Sequence, residues 1–315
     1  MLLSHKTVME RTAAACEGLP ITAYDRIVWV LPMAYHFVVS LMLYIRYGAG
    51  IIVCEDFLAD AILNDIQKYR GTLLYASPMH IRLLASHNAP VNLPTLRRVI
   101  STTTGISPTV CHAFYKKFHI PVWQAFGIIE VGLPVVNQQK AVERPDAVGH
   151  VLPAYEAAIL DDRGRKLPAG CQGRLALKGP GMFDGYLSPK LPRDTVLKEG
   201  WFLTGDLAMM EDDGLITING REKSVINVSG NKVFPSEVEE VINTYPGVVQ
   251  SRVYAHAHPL VGEIVAAEVV LQGASRFDEE DLIQYCRAKL TSFKIPQRIS
   301  VVERIAMTGS GKIKR

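Results

Sequence analysis

Four segments of the sequence combine charged or aromatic side chains with glycines, and they follow one another along the chain. The first, Gln124-Ala-Phe-Gly-Ile-Ile-Glu130, joins an aromatic ring to a carboxylate across a glycine turn at the end of a strand. A carboxylate suits a magnesium ion that bridges triphosphate oxygens, and an aromatic ring offers a face to a purine. Taken alone, the segment is typical of an ordinary strand-to-loop turn, so its chemistry depends on the segments that follow.

Two further segments place carboxylates near glycines. Gly200-Trp-Phe-Leu-Thr-Gly-Asp206 predicts a carboxylate just after a strand and a glycine, where it can accept hydrogen bonds from both hydroxyls of a ribose. A simple turn aspartate explains this second segment equally well. The third segment runs from Asp213 to Glu237. A hairpin leading into a capped helix explains its Asp213-Gly214 and its Ser236, but not the whole string.

The fourth segment, Thr308-Gly-Ser-Gly-Lys-Ile-Lys-Arg315, ends the chain. Its glycines leave the backbone free to approach a phosphate, and Lys312 supplies a point charge for an oxyanion. It is not a Walker loop, because Ala306 stands where that motif needs its first glycine.

The surrounding patterns predict three regions that position these segments. Residues 1–148 alternate short β-branched runs with helical stretches, which is typical of an α/β domain with a buried parallel sheet. Residues 149–219 read as short strands separated by turn dipeptides, and predict an antiparallel, barrel-like region. Residues 220–315 predict a small α+β domain. Its first helix would open with a capping box of Ser236 and Glu239.

Composition and charge exclude several functions. A net charge of +3 with interspersed signs offers no basic stripe for nucleic acid. Five scattered cysteines indicate a reducing cytoplasm rather than a zinc site or a disulfide framework. The opening residues do not resemble a signal peptide. Ile27 to Ile45 lacks charge and could cross a bilayer, but it divides more naturally into strand, helix and strand, so we expect no membrane span.

Together the four segments resemble the adenylate-forming superfamily, which includes acyl-CoA synthetases, aryl-CoA ligases and peptide-synthetase adenylation domains. The resemblance covers essentially all 315 residues. It implies an incomplete large α/β domain with a barrel-like β region, followed by a small, mobile α+β domain. It also implies that ATP and Mg²⁺ activate a carboxylic acid as an acyl-adenylate, after which the acyl group passes to a thiol, usually that of coenzyme A.

The resemblance also assigns roles to individual residues. Lys312 and Glu130 would be catalytic, Glu130 as the magnesium ligand, and Lys223 would be the hinge about which the small domain turns. The nucleotide site would comprise Thr104, Gly105, Phe126, Gly127, Asp206 and Arg221. Ser229 and Gly230 would line the coenzyme A path, and His36, Trp123 and Ile128 would flank the acyl pocket.

The sequence departs from the superfamily in places. Ile129 replaces a threonine that would contact phosphate, and Thr102 to Gly105 is bulkier than the usual purine-binding segment. The phosphate-binding loop would precede Met1-Leu-Leu-Ser-His5, so we expect exposed sheet edges and an incomplete nucleotide pocket in the isolated chain. Two alternatives therefore stay open: an acyl-AMP ligase that loads the phosphopantetheine of a carrier protein, and a catalytically silent, truncated paralogue that keeps only binding.

Overall fold

The computed structural model describes residues 1–88, 90–259, 262–273, 277–307 and 313–314, without the side chain of Tyr35. The described α-helices are α1 (His5–Gly18), α2 (Met33–His36), α3 (Met42–Arg46), α4 (Ala59–Lys68), α5 (Pro78–Ser86), α6 (Pro108–Phe118), α7 (Arg193–Val196), α8 (Pro235–Ile242) and α9 (Glu279–Arg287). A π-helical turn, Phe37–Leu41, joins α2 to α3, and short 3₁₀ helices lie at Glu222–Ser224 and Ser292–Lys294.

The strands of the first two regions are β1 (Arg26–Trp29), β2 (Gly50–Val53), β3 (Leu73–Ala76), β4 (Arg98–Ser101), β5 (Val122–Ile128), β6 (Gly132–Val136), β7 (His150–Val151), β8 (Glu156–Leu160), β9 (Gln172–Lys178), β10 (Gly185–Tyr186), β11 (Leu191–Pro192), β12 (Phe202–Met210) and β13 (Ile216–Arg221). The remaining strands are β14 (Ile226–Val228), β15 (Asn231–Val233), β16 (Val248–His258), β17 (Gly262–Leu271) and β18 (Arg298–Val301).

A largely parallel sheet forms the centre of the first region. Its order is β2-β1-β3-β4-β5-β6-β7; β2 to β5 pair in parallel along this path, and β6 and β7 are antiparallel. The residues of β3 are almost completely buried, as continuous apolar runs in parallel strands require. Because parallel strands point the same way, the segments that follow β1, β3, β4 and β5 lie at one edge of the sheet. The predicted α/β architecture is confirmed.

The uncharged stretch from Ile27 to Ile45 is divided among several elements. It contributes to β1, turns at Pro32, and continues through α2, the π-helical turn and α3. In the described part of the chain, no helix has both the length and the apolar character needed to cross a membrane.

The middle of the chain is rich in β-structure, as its turn dipeptides predict. A sheet in the order β13-β12-β9-β8 contains an antiparallel β8–β9 pair, and β10 and β11 form a separate antiparallel pair. Asp206 lies within β12 rather than after its strand, and Gly127 lies within β5 at a register irregularity rather than in a turn. Both local predictions were wrong because the strands extend past the glycines.

The chain divides into two compact units. The first comprises Met1–Thr204 and Ala208–Ile218, and the second comprises Gly205–Leu207 and Asn219–Arg315. The second unit contains a sheet in the order β15-β14-β17-β16, with β18 beside β17. Apolar side chains of its strands, of α8 and of α9 form a core that is distinct from the core of the first unit.

The predicted capping box at Ser236 is wrong. Helix α8 begins at Pro235, one residue before Ser236, because proline is favoured at the first helical position. The Ser236 hydroxyl donates instead to the Asn219 carbonyl at 3.0 Å, and Glu239 accepts a hydrogen bond from the backbone N–H of Val253 at 2.8 Å. These residues therefore connect α8 to neighbouring segments of the second unit rather than capping it.

Candidate functional site

Glu130 lies in the turn between β5 and β6, at the edge of the sheet where the parallel strands end. Its Oε1 accepts a hydrogen bond of 2.9 Å from the Tyr186 hydroxyl, and its carbonyl accepts one of 2.8 Å from the Phe183 N–H. Burial, followed by the contact with Glu130, raises the pKa of Tyr186 to about 12. Tyr186 therefore remains a neutral donor at physiological pH and orients the carboxylate.

The segment that carries Tyr186 packs against helix α1. The Asp184 carboxylate accepts hydrogen bonds from the Ser4 N–H at 2.5 Å and from the Thr7 hydroxyl. The Phe183 ring is fully buried, with its centroid 4.9 Å from the Tyr186 ring. The chain before Glu130 and the chain before Tyr186 are far apart in sequence, and α1 brings them together.

The bulky segment from Thr102 to Gly105 follows β4 at the same edge. Thr103 has a φ of 80°, which is uncommon for a β-branched residue and marks local backbone strain. Ile106 directly follows this segment, and its N–H donates a hydrogen bond of 3.3 Å to Oε1 of Gln124 on β5. The structure thus connects Thr104 and Gly105 to the strand that carries Phe126.

His36 lies in an aromatic cluster behind this edge. Its ring centroid is 5.6 Å from that of Trp29 and 5.8 Å from that of Tyr75. The buried Tyr75 hydroxyl accepts a hydrogen bond from Ser40 and is hydrogen-bonded to Thr102. The His36 side chain is partly exposed, and the cluster is linked to the segment that follows β4 through Tyr75.

The other expected liners of the acyl pocket lie on β5. Trp123 and Ile128 are partly buried and pack against the core of the first unit, as does Phe126 between them. An ideal Cβ added to Gly127 would come within 2.9 Å of the Gly132 carbonyl oxygen, so glycine is required where β5 approaches β6.

Asp206 and Arg221 form an ion pair in the second unit. The Arg221 Nε lies 2.9 Å from the Asp206 Oδ1; the aspartate side chain is 6% exposed and the arginine side chain 52%. The guanidinium fixes the orientation of the carboxylate, and a carboxylate of fixed orientation suits the capture of a ribose diol.

Two further expected residues of the second unit lie in exposed turns. Lys223 belongs to the 3₁₀ helix and its side chain is exposed. Ser229 and Gly230 connect β14 to β15, with φ values of 48° and 88°, as in a tight type I′ hairpin. The Asn227 side chain accepts a hydrogen bond from the Gly230 N–H at 3.1 Å. Lys312 falls outside the described residues.

The residues present suit a nucleotide-bound magnesium ion. Mg²⁺ commonly takes one or two protein carboxylates and completes its shell with phosphate oxygens and water. Glu130 provides one such carboxylate, held by Tyr186. Among the described residues, no group of three or more His, Cys, Asp or Glu side chains could hold a metal by itself.

Sequence reasoning missed Arg11, Tyr186 and the segment before Tyr186. Arg11 is 1% exposed on α1 and hydrogen-bonds to the carbonyls of Ile129 and Gly181. Gly185-Tyr186 gives a weak local signal as a glycine and aromatic pair after a turn. For Arg11 no local signal exists, because both of its partners lie more than a hundred residues away.

Comparisons with known proteins identify the family of this chain. The family profile described as AMP-binding enzyme matches residues 1–187, and that of the AMP-binding enzyme C-terminal domain matches residues 237–312. The chain is similar to the oxalate–CoA ligase of Saccharomyces cerevisiae, at 25% identity over 319 residues, with 99% of this chain and 59% of the relative covered. It is also similar to the medium-chain fatty-acid–CoA ligase of Escherichia coli, at 29% identity over 324 residues, with 100% and 57% covered.

Among solved structures, the ATP-bound MatB from Rhodopseudomonas palustris superposes with a TM-score of 0.90. Its identity to this chain is 27%, and the match covers 99% of this chain and 63% of that one. The chain thus spans about three fifths of the length of the relatives that it matches. Since the first profile alone covers more than half of the residues, the chain belongs to the AMP-binding enzyme family of the adenylate-forming superfamily.

Proposed function

We propose that this chain carries the nucleotide- and acyl-handling residues of an AMP-forming acid–thiol ligase. In the first step a carboxylate oxygen bonds to the α-phosphorus of ATP, and the bond to pyrophosphate breaks. In the second step the sulfur of coenzyme A bonds to the acyl carbon, and AMP leaves. The observation that carries the proposal is the ion pair of buried Asp206 with Arg221, because a carboxylate held in this way is suited to bind the hydroxyls of a ribose.

The site residues keep the roles that the resemblance implies. Adenine would lie against Phe126 and Gly127, near Thr104 and Gly105, and Glu130 would hold Mg²⁺. Lys312 would stabilise charge at the α-phosphate, and Lys223 would act as the hinge. The remaining assignments concern the two other substrates: Ser229 and Gly230 for coenzyme A, and His36, Trp123 and Ile128 for the acyl group.

Coenzyme A is the preferred thiol because the two curated relatives compared above are both named CoA ligases. A carrier-protein phosphopantetheine is the alternative acceptor. We also propose the region boundaries at residues 148 and 219, and a cytoplasmic location. The five cysteines, all free thiols, support that location.

Binding of a nonhydrolysable acyl-adenylate mimic, such as an acyl-sulfamoyl-adenosine, tests the proposal. The 315-residue chain should bind the mimic in isothermal titration. Asp206→Asn should weaken this binding about 10- to 100-fold, because hydrogen bonds to charged groups contribute about 1.5–3 kcal/mol. Asp162→Asn, at an exposed turn, is the matched control and should bind like the wild type.

The outcomes separate the alternatives. A folded chain that binds no mimic would overturn the ligase, whereas a chain that binds the mimic but transfers no acyl group would support the silent paralogue that keeps only binding. If the mimic binds, ATP, a carboxylic acid and either coenzyme A or a phosphopantetheinylated carrier protein are supplied together. Mass spectrometry then shows which thiol has gained the acyl group.

A further inference from the structure

Arg11 is a charged side chain buried beside the candidate magnesium ligand. It is 1% exposed, although it lies on α1, which is otherwise partly solvated. Its Nη1 donates to the Ile129 carbonyl at 2.9 Å, and its Nε and Nη2 both donate to the Gly181 carbonyl, at 2.9 and 2.6 Å. Burying a guanidinium is costly unless its donors are satisfied, so these bonds fix its position.

The two carbonyls belong to the two chain segments that meet at Glu130. Ile129 directly precedes Glu130, whereas Gly181 begins the segment that leads to Tyr186. Tyr186 in turn donates to the Glu130 carboxylate at 2.9 Å. Arg11 therefore joins the turn that carries the carboxylate to the segment that orients it.

The backbone around Gly181 leaves little room for movement. A Cβ at this glycine would come within 2.4 Å of the backbone nitrogen of Arg11 and 2.6 Å of the backbone oxygen of Thr7. The φ of Gly181 is +65°. Its N–H also donates to the Glu10 carboxylate at 3.3 Å. Helix α1 thus holds this segment through both the N–H and the carbonyl of one residue.

We propose that Arg11 is a positioning residue for the magnesium site, which holds Glu130 and Tyr186 in register through the carbonyls of Ile129 and Gly181. The inference rests on the proposed function, because it assumes that Glu130 is a magnesium ligand. Mg²⁺ demands near-ideal octahedral geometry, so a displaced carboxylate binds it poorly. Residues that orient metal ligands typically affect metal affinity about 10- to 100-fold.

Binding of Mn²⁺ in the presence of ATP tests the inference without requiring turnover. Mn²⁺ replaces Mg²⁺, and because ATP alone already binds Mn²⁺, the protein-bound Mn²⁺–ATP complex is followed by its enhancement of water proton relaxation. Arg11→Lys keeps the charge but cannot reproduce the fork of donors, and should weaken Mn²⁺ binding at least about tenfold. Arg98→Met is the matched control: this arginine side chain is 13% exposed and bonds to Pro20 and Asp25, away from Glu130.

A double-variant cycle separates positioning from general destabilisation. In Glu130→Gln, which already lacks the carboxylate, adding Arg11→Lys should change Mn²⁺ affinity by less than about twofold. A folded Arg11→Lys variant with the Mn²⁺ affinity of the wild type would overturn the inference. An equal loss of Mn²⁺ affinity on Arg11→Lys with Glu130 present and with Glu130→Gln would also overturn it. Failure of the wild-type chain to bind the adenylate mimic or ATP would instead contradict the proposed function.

If Arg11→Lys does not fold, Tyr186→Phe with the same cycle tests the same linkage.

Discussion

At the scale of single residues, burial decides the protonation state of His80. The side chain lies in the first turn of α5 and is 4% exposed. Its Nδ1 lies 2.7 Å from the Ser77 hydroxyl, which holds the ring at the start of the helix. Burial lowers its pKa to about 4, so the imidazole is neutral in the folded protein near pH 7.

This lowered pKa predicts a loss of stability in mild acid. The unfolded chain binds a proton at His80 as the pH falls through about 6.5, whereas the folded chain does so only near 4. The stabilisation present above pH 6.5 is therefore lost progressively towards pH 4, by about 3 kcal/mol in total. The buried Asp25, whose pKa is lowered to about 2, loses its contribution only below this window.

Urea unfolding between pH about 7.5 and about 4.5 measures the effect. Over this pH range the free energy of unfolding should fall by about 3 kcal/mol less in His80→Asn than in the wild type. His5→Asn, at the exposed start of α1, is the control and should keep the wild-type pH dependence. An unchanged slope in His80→Asn would contradict the prediction.

At the scale of elements, close approach of the backbone to α1 determines the shape of the segment before Tyr186. Gly181 and Gly170 both have positive φ, +65° and +77°. They differ in space: a Cβ at Gly181 meets the backbone of α1, whereas one at Gly170 meets nothing within 4 Å. The pair therefore separates the cost of the left-handed backbone from the cost of overpacking.

Alanine at these two glycines should have unequal effects. Gly170→Ala should lower the free energy of unfolding by about 1–2 kcal/mol, the cost of a left-handed conformation for a residue with a Cβ. Gly181→Ala adds an overpacking cost of about 1–3 kcal/mol because α1 must move. Thermal unfolding of the two variants checks the difference. Equal decreases in Tm would show that α1 moves to accommodate the added Cβ without an energetic cost.

At the scale of the whole molecule, the two units have separate apolar cores. Leu84 is buried in the core of the first unit and Leu282 in that of the second. Units with independent cores need not unfold as one cooperative transition.

Calorimetry of the full chain should therefore resolve two unfolding transitions. Leu282→Ala should shift only one of them and Leu84→Ala only the other, each by about 2–5 kcal/mol from the cavity that is created. A single transition that both variants shift equally would show that the units unfold together.

The sequence by itself determined the family, the element types and most of the candidate site residues. Continuous apolar runs predict the buried parallel strands, because both faces of such strands are covered. The glycine-bounded segments point to Glu130, Asp206 and Arg221, because the residue types and their order carry the information. These signals are local, so residues that are close together in the sequence are sufficient to identify them.

Only the tertiary structure decided which distant groups hold these residues. The partners of Glu130 and of the turn before it, Tyr186 and Arg11, are 56 and 118 residues away. Ser236 reads locally as a helix cap, yet its hydroxyl bonds to Asn219, because Pro235 starts the helix earlier. Hydrogen bonds between distant segments depend on how the chain folds back, and no periodicity or spacing in the sequence encodes that path.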